Sequence, residues 1–119
     1  MSLEDNPKAH SRSEFASFFD WDEQNIGHLA RHEVTPGEAE QVIINRPVDL
    51  ESSLQNGEDR VVQIGETDAG RVLVVVSTMR NKKVRVVTAW PAKERLRRYF
   101  ATQKRNGNVG RIEEEDLHE

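Results

Sequence analysis

The apolar residues of this chain change their spacing near residue 47, and this change restricts the folds that the chain can adopt. Helix signals precede that point. Short β-branched runs separated by turns follow it, and the clearest of these runs covers residues 72–76. Such residues favour strands, because their stiff side chains pack well on a pleated sheet. The order of segments predicts an α+β domain in which two N-terminal helices pack on an antiparallel meander sheet of about four strands, closed by a C-terminal helix.

Two predicted helix starts carry residues that cap a helix. Asp22 precedes a first helix over residues 23–31, where its carboxylate can accept hydrogen bonds from free backbone N–H groups. Thr35, Pro36 and Glu38 form a second start, because threonine at the cap and glutamate three residues later make a capping box. The buried faces are expected to contain Ile26, Leu29 and Ala30 in the first helix, and Val42 and Ile43 in the second.

The strands and the closing helix follow residue 47. We expect the helices to share one face of the sheet, because an antiparallel sheet tolerates a second face that is partly solvated. The predicted segments are strands at 48–51, 60–65, 71–78 and 84–89, and a final helix that has Pro91 in its first turn and runs from Ala92 to about residue 103. Alternation in the last strand would separate Val84, Val86 and Thr88 on one face from Arg85, Val87 and Ala89 on the other.

Charge is distributed very unevenly along the chain. Residues 1–70 carry fifteen acidic and five basic side chains, whereas residues 71–111 carry twelve basic side chains and the single acid Glu94. Residues 112–119 add five more acids. A clustered basic segment favours a polyanionic partner, because Lys and Arg that neutralise phosphates release condensed counterions.

Length and composition predict one folded domain with polar ends. Residues 1–14 are expected to be a flexible leader, residues 15–104 the domain, and residues 105–119 a polar, acidic tail. The chain has no cysteine, so disulfides and thiolate metal sites are excluded. A signal peptide and a stretch of membrane-spanning length are both missing from the sequence, and we therefore expect a cytoplasmic protein.

Several short motifs follow one another between residues 18 and 103. They are Asp20-Trp21-Asp22, Arg31-His32-x-Val34, Glu58-x-Arg60-x-x-x-Ile64-Gly65, Gly70-Arg71-x-Leu73-x-Val75, Thr78-x-Arg80 and Val84-Arg85-Val86-Val87-Thr88-Ala89-Trp90-x-Ala92. Their order and spacing resemble the BrnT family of bacterial type II toxins. The resemblance implies a RelE/ParE-like fold, metal-independent ribonuclease activity without a cofactor, and a cognate BrnA-like antitoxin that forms a hetero-oligomer with the toxin.

Cleavage of RNA by a ribose 2′-OH requires a base, cations for the phosphorane charge, and an acid for the leaving oxygen. Arg60, Arg85 and Arg98 are the candidates for binding or stabilising phosphate. Glu58 or His32 would move the proton, and Tyr99 would assist. Further RNA contacts are expected from Arg80, Lys82, Lys83, Trp90, Arg95, Arg97 and Arg98.

Structural roles compete with these assignments. We expect the Arg85 guanidinium on the open sheet surface beside the arginines of the final helix, but it can instead be paired internally. Glu58 and Arg60 can form a surface ion pair, and His32 can stabilise the end of the first helix. Trp90 can stack on a base or pack beneath the final helix, and Tyr99 can pin that helix to the sheet.

The sequence also departs from the BrnT pattern at two positions. Trp90 stands where many such chains have Arg, and Glu33 stands where many have Gly. Two other function classes therefore remain open: a non-catalytic protein that binds nucleic acid or an acidic partner through the basic face, and a ParE-style inhibitor of a protein target. The acidic tail is either a solubilising end or a segment that folds over the basic face.

Overall fold

The chain folds into three layers, with a sheet between two layers of helix. The structure is a computed structural model that describes residues 18–55, 57–106 and 114–117. Its elements in chain order are α1 (Glu23–Ala30), α2 (Pro36–Ile44), β1 (Val48–Gln55), β2 (Glu58–Glu66), β3 (Val72–Arg80), β4 (Lys83–Pro91), α3 (Glu94–Asn106) and a 3-10 turn (Glu114–Leu117). The strands pair antiparallel in the order β1–β2–β3–β4, which confirms the predicted meander and the α+β class.

Element boundaries differ from the prediction mainly in the strands. β1 and β2 extend into the polar stretch between the predicted strands 48–51 and 60–65, so that only residues 56 and 57 separate them. Pro91 ends β4 instead of beginning the final helix. The predicted leader, residues 1–14, lies outside the described residues, as do residues 107–113 and 118–119 of the predicted tail.

Both predicted helix starts are confirmed. Asp22 Oδ1 accepts hydrogen bonds from the backbone N–H groups of Gln24 (3.0 Å) and Asn25 (3.1 Å). Thr35 Oγ1 accepts from the Glu38 N–H at 3.2 Å, while Glu38 Oε1 accepts from the Thr35 N–H at 3.0 Å. These contacts satisfy donors that the first turn of a helix leaves without partners.

The buried face of α1 differs from the prediction. Leu29 is fully buried, but Ile26 and Ala30 are exposed and Asn25 is buried in their place. The Asn25 side-chain amide donates to the Val86 carbonyl at 3.0 Å and to the Asp20 carbonyl at 2.9 Å. A polar residue is stable at this buried position because its hydrogen bonds are satisfied by backbone carbonyls of β4 and of the segment before α1.

The helices occupy both faces of the sheet, so the prediction that they share one face was wrong. Leu73 of β3 lies in a buried cluster with Leu29 of α1, whereas the adjacent Val74 packs with Leu96 and Phe100 of α3. The run at residues 72–76 is apolar at every position, and alternation sends half of it to each face. Each apolar face requires its own cover.

A bulge in β4 changes which of its residues share a face. Val76 pairs with Thr88 and Ser77 pairs with Val86, so that Val87 is an extra residue between them. The predicted strict alternation is therefore wrong after this point. Val86 and Ala89 share the face that is covered by α1 and α2, while Arg85 and Thr88 lie on the face of α3.

Glu33, between α1 and α2, adopts a left-handed backbone conformation with φ of 60°. We expect Glu33→Gly to raise the free energy of unfolding by about 0.5 kcal/mol, because release of about 1 kcal/mol of strain exceeds the added freedom of the unfolded chain. Ala30→Gly, in the exposed last turn of α1, is the matched control and should lower it by about 0.5–1 kcal/mol. Urea unfolding measures both variants, and a Glu33→Gly protein that is destabilised as much as Ala30→Gly would contradict the assignment.

Within the described residues, no helix combines the length and the apolar character that are needed to cross a membrane.

Candidate functional site

One face of the sheet is covered by α3 at one end. At the other end of this face, arginines from two strands lie in one row. Arg60 of β2 pairs with Thr78 of β3, which pairs with Arg85 of β4. Side chains of cross-strand partners project from the same face. Two residues further along their strands, Glu58, Arg80 and Lys83 project from this face too. We call the basic members of these two rows, Arg60, Arg80, Lys83 and Arg85, the cationic face.

The cationic face and α3 occupy opposite ends of this side of the sheet. α3 packs on Ile64, Val74 and Trp90, which form another cross-strand row. Ile64 is four residues from Arg60 along β2, or about 14 Å in an extended strand. The β1–β2 and β3–β4 turns lie at the end with the cationic face, so both turns border the candidate site.

Arg85 is buried and paired internally, which corrects the expectation that it faces the open surface. Only 8% of the residue is exposed. Its Nη2 donates to Asp22 Oδ1 at 3.2 Å, and its Nη1 lies 3.0 Å from Asp22 Oδ2 and 3.6 Å from Asp20 Oδ1. The bulge turns Arg85 toward this face, and two carboxylates from the segment before α1 then neutralise it.

Asp20 contacts two members of the cationic face, Arg80 and Arg85. Its Oδ2 lies 3.2 Å from Arg80 Nε, while its Oδ1 faces Arg85. The backbone around Asp20 is also fixed, since the Asp20 N–H donates to the Val84 carbonyl at 2.9 Å and the Val84 N–H donates to the Phe18 carbonyl at 2.8 Å. The sequence singled out Asp20 and Asp22 as a motif but did not show that they contact Arg85.

Asp22 is both the cap of α1 and the principal partner of Arg85. The hydrogen bond from Arg85, together with the N–H of Asn25, holds the pKa of the Asp22 carboxyl below its ordinary value. Glu38 shows a similar shift. Burial acts to raise the pKa of Glu38, but the Thr35 N–H and the Arg71 guanidinium outweigh it, and the pKa is lowered.

These lowered pKa values predict that acid destabilises the fold. Because the unfolded carboxyls have their ordinary pKa values of 3.8 and 4.5, the unfolded chain takes up protons first as the pH falls. The contribution of Asp22 and Glu38 is present above those values and is lost progressively below them. Asp22→Asn should melt below the wild type at neutral pH, and the difference in melting temperature should shrink progressively as the pH falls below the ordinary value of 3.8.

Circular dichroism melts across this pH range provide the measurement. Glu51→Gln, which alters an exposed carboxylate of β1, is the control and should parallel the wild type at every pH. A gap between Asp22→Asn and the wild type that stays constant on acidification would contradict the pairing of Asp22 with Arg85.

Arg60 is the more accessible arginine of the row. Its side chain is 27% exposed, and Nη2 lies 3.3 Å from Glu58 Oε1. The Nε–H group of Arg60 is buried and has no hydrogen-bond partner among the residues that the structure describes. The hydroxyl of Thr78 donates to the Asp59 carbonyl at 2.6 Å and fixes the row between the two arginines. A guanidinium and a carboxylate therefore meet at the surface of the sheet.

Three arginines of α3 contact partners outside the cationic face. Arg98 pairs with Glu94 one turn earlier, and both side chains are 71% exposed. Arg97 donates to the Ala92 carbonyl at 2.8 Å. Arg95 lies 3.7 Å from Asp116 in the 3-10 turn. The partners of Arg85 are Asp20 and Asp22, so the expected convergence of Arg85 with Arg95, Arg97 and Arg98 is not observed.

The acidic tail contacts α3 through Asp116. This residue is 8% exposed and faces Arg95, so part of the tail folds back onto the basic helix. That contact agrees with the alternative in which the tail returns to a basic surface, although the surface is α3 and not the row on the sheet.

Three other predicted site residues, His32, Trp90 and Tyr99, lie outside the cationic face. His32 follows α1 in the layer on the opposite face, where its ring stacks on His28 at 6.3 Å, so the sheet separates it from Arg60. Trp90 is 5% exposed and packs beneath α3, which assigns it to the core instead of the RNA surface. Tyr99 packs partly against the same cluster, on the side of the sheet that carries Arg60.

The β3–β4 turn presents further positive charge. Asn81 and Lys82 both have positive φ angles, 53° and 68°, as a two-residue hairpin turn requires. Lys82 and Lys83 are exposed there, next to Arg80. Among the described residues, no group of three or more His, Asp or Glu side chains is arranged to hold a metal ion.

The fold and this site define a small α+β protein with helices on both faces of a meander sheet and a cationic surface at one end of it. Comparison with known protein families identifies the class to which this protein belongs. Residues 21–95, more than half of the chain, match the family described as the ribonuclease toxin BrnT of type II toxin–antitoxin systems. The chain belongs to the BrnT family, and this membership implies an RNA substrate and a cognate antitoxin. A comparison with curated proteins finds no match.

Proposed function

We propose that this BrnT protein cleaves RNA at the cationic face by attack of a ribose 2′-OH on the adjacent phosphate, without a metal ion. The observation that carries the proposal is the contact between Arg60 and Glu58, which puts a cation and a carboxylate 3.3 Å apart at an accessible part of the sheet. Such a pair provides both a base and a phosphate-binding group, the two functions that this attack needs first.

The reaction assigns a separate role to each side chain. Glu58 accepts the proton of the 2′-OH as the oxygen forms its bond to phosphorus. Arg60 donates hydrogen bonds to the non-bridging oxygens, where negative charge increases in the transition state. The 5′-oxygen then leaves with a proton, for which Tyr99 is the candidate donor. The products are a 2′,3′-cyclic phosphate and a free 5′-hydroxyl.

The other predicted residues act around this pair. Arg80, Lys82 and Lys83 are placed to bind flanking phosphates along the edge of the cationic face. Arg85 supports the row from within the protein, since Asp20 and Asp22 already neutralise it. His32 lies on the opposite side of the sheet, and the geometry therefore favours Glu58 over His32 as the base.

Non-catalytic RNA binding is the second candidate function. Three carboxylates, those of Asp20, Asp22 and Glu58, pair with cations of this surface and offset much of its charge. A surface that is balanced in this way can still hold RNA through its exposed lysines, even where no strand is cut.

The two candidates are separated by incubating the protein with end-labelled RNA in excess chelator. Cleavage to products with 2′,3′-cyclic phosphate ends supports the proposal, and addition of the cognate antitoxin should suppress it. Glu58→Gln keeps the size of the side chain but removes the base, and it should retain RNA binding while it loses cleavage. RNA that is bound reversibly but stays intact favours the second candidate. Activity that disappears with the chelator would contradict metal independence.

A further inference from the structure

An exposed aromatic side chain borders the cationic face. Residues 18–20 run alongside β4 and pair with it through Phe19, which lies opposite Val84 in parallel orientation. Phe19 is buried, and because side chains alternate along an extended segment, Phe18 and Asp20 project from the other side. The ion pairs of Asp20 with Arg80 and Arg85 show that this other side carries the cationic face.

Phe18 is held in a defined position there. Its carbonyl accepts the hydrogen bond of the Val84 N–H at 2.8 Å, and the same pairing sets Phe18 next to Lys83. The residue is nevertheless 57% exposed. The other large apolar side chains exposed in the described part of the chain are aliphatic: Ile26, Ile44, Leu54 and Met79. Phe18 therefore presents an aromatic ring to solvent beside a lysine and two arginines.

We propose that Phe18 stacks on an unpaired base of single-stranded RNA whose phosphates lie on the cationic face. Every base has a π-face, so this contact adds affinity without selecting a sequence. Phe18 lies three strand spacings across the sheet and two residues along it from Arg60, or about 16 Å away. A short single strand spans that distance, which places the stacked base beside the cleavage site and not within it. This inference rests on the proposed RNA substrate, but it requires no particular cleavage chemistry.

The test uses a fluorescein-labelled oligouridine with 2′-O-methyl groups, which can bind but lacks the attacking hydroxyl. Its affinity for the full-length protein is measured by fluorescence polarisation in low salt. Phe18→Ala should weaken binding about ten-fold, and Phe18→Trp should restore it, because stacking requires an aromatic ring. Met79→Ala removes an exposed apolar side chain from the other face of the sheet and should bind like the wild type.

A matching oligomer that lacks the bases separates stacking from other effects. The wild type and Phe18→Ala should bind it equally. An equal loss on both oligomers, or a loss in Met79→Ala as large as that in Phe18→Ala, would overturn the stacking role. Normal binding of oligouridine by Phe18→Ala would overturn it too, while leaving the proposed function intact. A wild-type protein that binds neither oligomer would overturn both proposals.

Discussion

Arg60→Ala is expected to lower the rate of RNA cleavage about 100-fold, a loss typical of removing one donor that stabilises charge in a transition state. The fold should remain stable, because a partly exposed ion pair at the protein surface, such as that of Arg60 with Glu58, contributes only about 0–1 kcal/mol. Arg60→Lys should recover part of the rate, since an ammonium group retains the charge but cannot donate two parallel hydrogen bonds. Single-turnover cleavage with excess protein provides the measurement.

Arg98→Ala is the matched control for this variant. It removes the same side chain from an exposed ion pair on α3, away from the row that contains Arg60. Its cleavage rate should stay close to that of the wild type, because Arg98 pairs with Glu94 on α3 and does not converge with the cationic face as the sequence had suggested. If Arg60→Ala cleaves as fast as Arg98→Ala, the phosphate is stabilised elsewhere and the proposed site is wrong.

Arg85→Ala is expected to destabilise the protein by about 2 kcal/mol, because it removes a buried side chain together with its contacts to Asp20 and Asp22. The melting temperature should fall by about 10 °C for a domain of this size. Loss of cleavage in this variant would follow from unfolding and would not identify Arg85 as catalytic. Urea unfolding distinguishes the two explanations, since activity normalised to the folded fraction should recover.

Arg98→Ala is also the control for stability, because it removes an arginine side chain without removing a buried ion pair. Its exposed pair with Glu94 predicts a change within about 0.5 kcal/mol. A melting temperature of Arg85→Ala within about 2 °C of the wild type would contradict a structural role for the buried pair. Arg85 would then again be a candidate for binding phosphate.

Local signals in the sequence predicted most of the fold. The capping box of Thr35 and Glu38 depends on four consecutive residues, and the strand character of residues 72–76 depends on the side chains themselves. The placement of α3 depended on more than its own pattern. The apolar stripe of α3 predicts that the helix packs on the sheet but does not indicate on which face. That face is decided by how much apolar surface the other helices leave uncovered on each side of the sheet.

The candidate site could be predicted only in part. Glu58 and Arg60 are two residues apart on one strand, so their contact follows from alternation. Asp22 and Arg85 are 63 positions apart, and their contact depends on the bulge that shifts β4 by one residue. The residues next to Arg85 in the sequence do not indicate the bulge in β4. The register between distant segments, which the sequence does not display, decided whether this arginine was free or paired.

The double role of Asp22 has a consequence for how the protein can respond to a bound anion. One oxygen of this carboxylate, Oδ1, accepts hydrogen bonds from the first turn of α1 and from Arg85. An anion that draws Arg85 away from this oxygen therefore also removes one of the contacts that position the cap of α1, in the layer behind the sheet. Fraying of α1, followed by amide hydrogen exchange at Gln24 and Asn25, would thus report occupancy on the far side of the molecule.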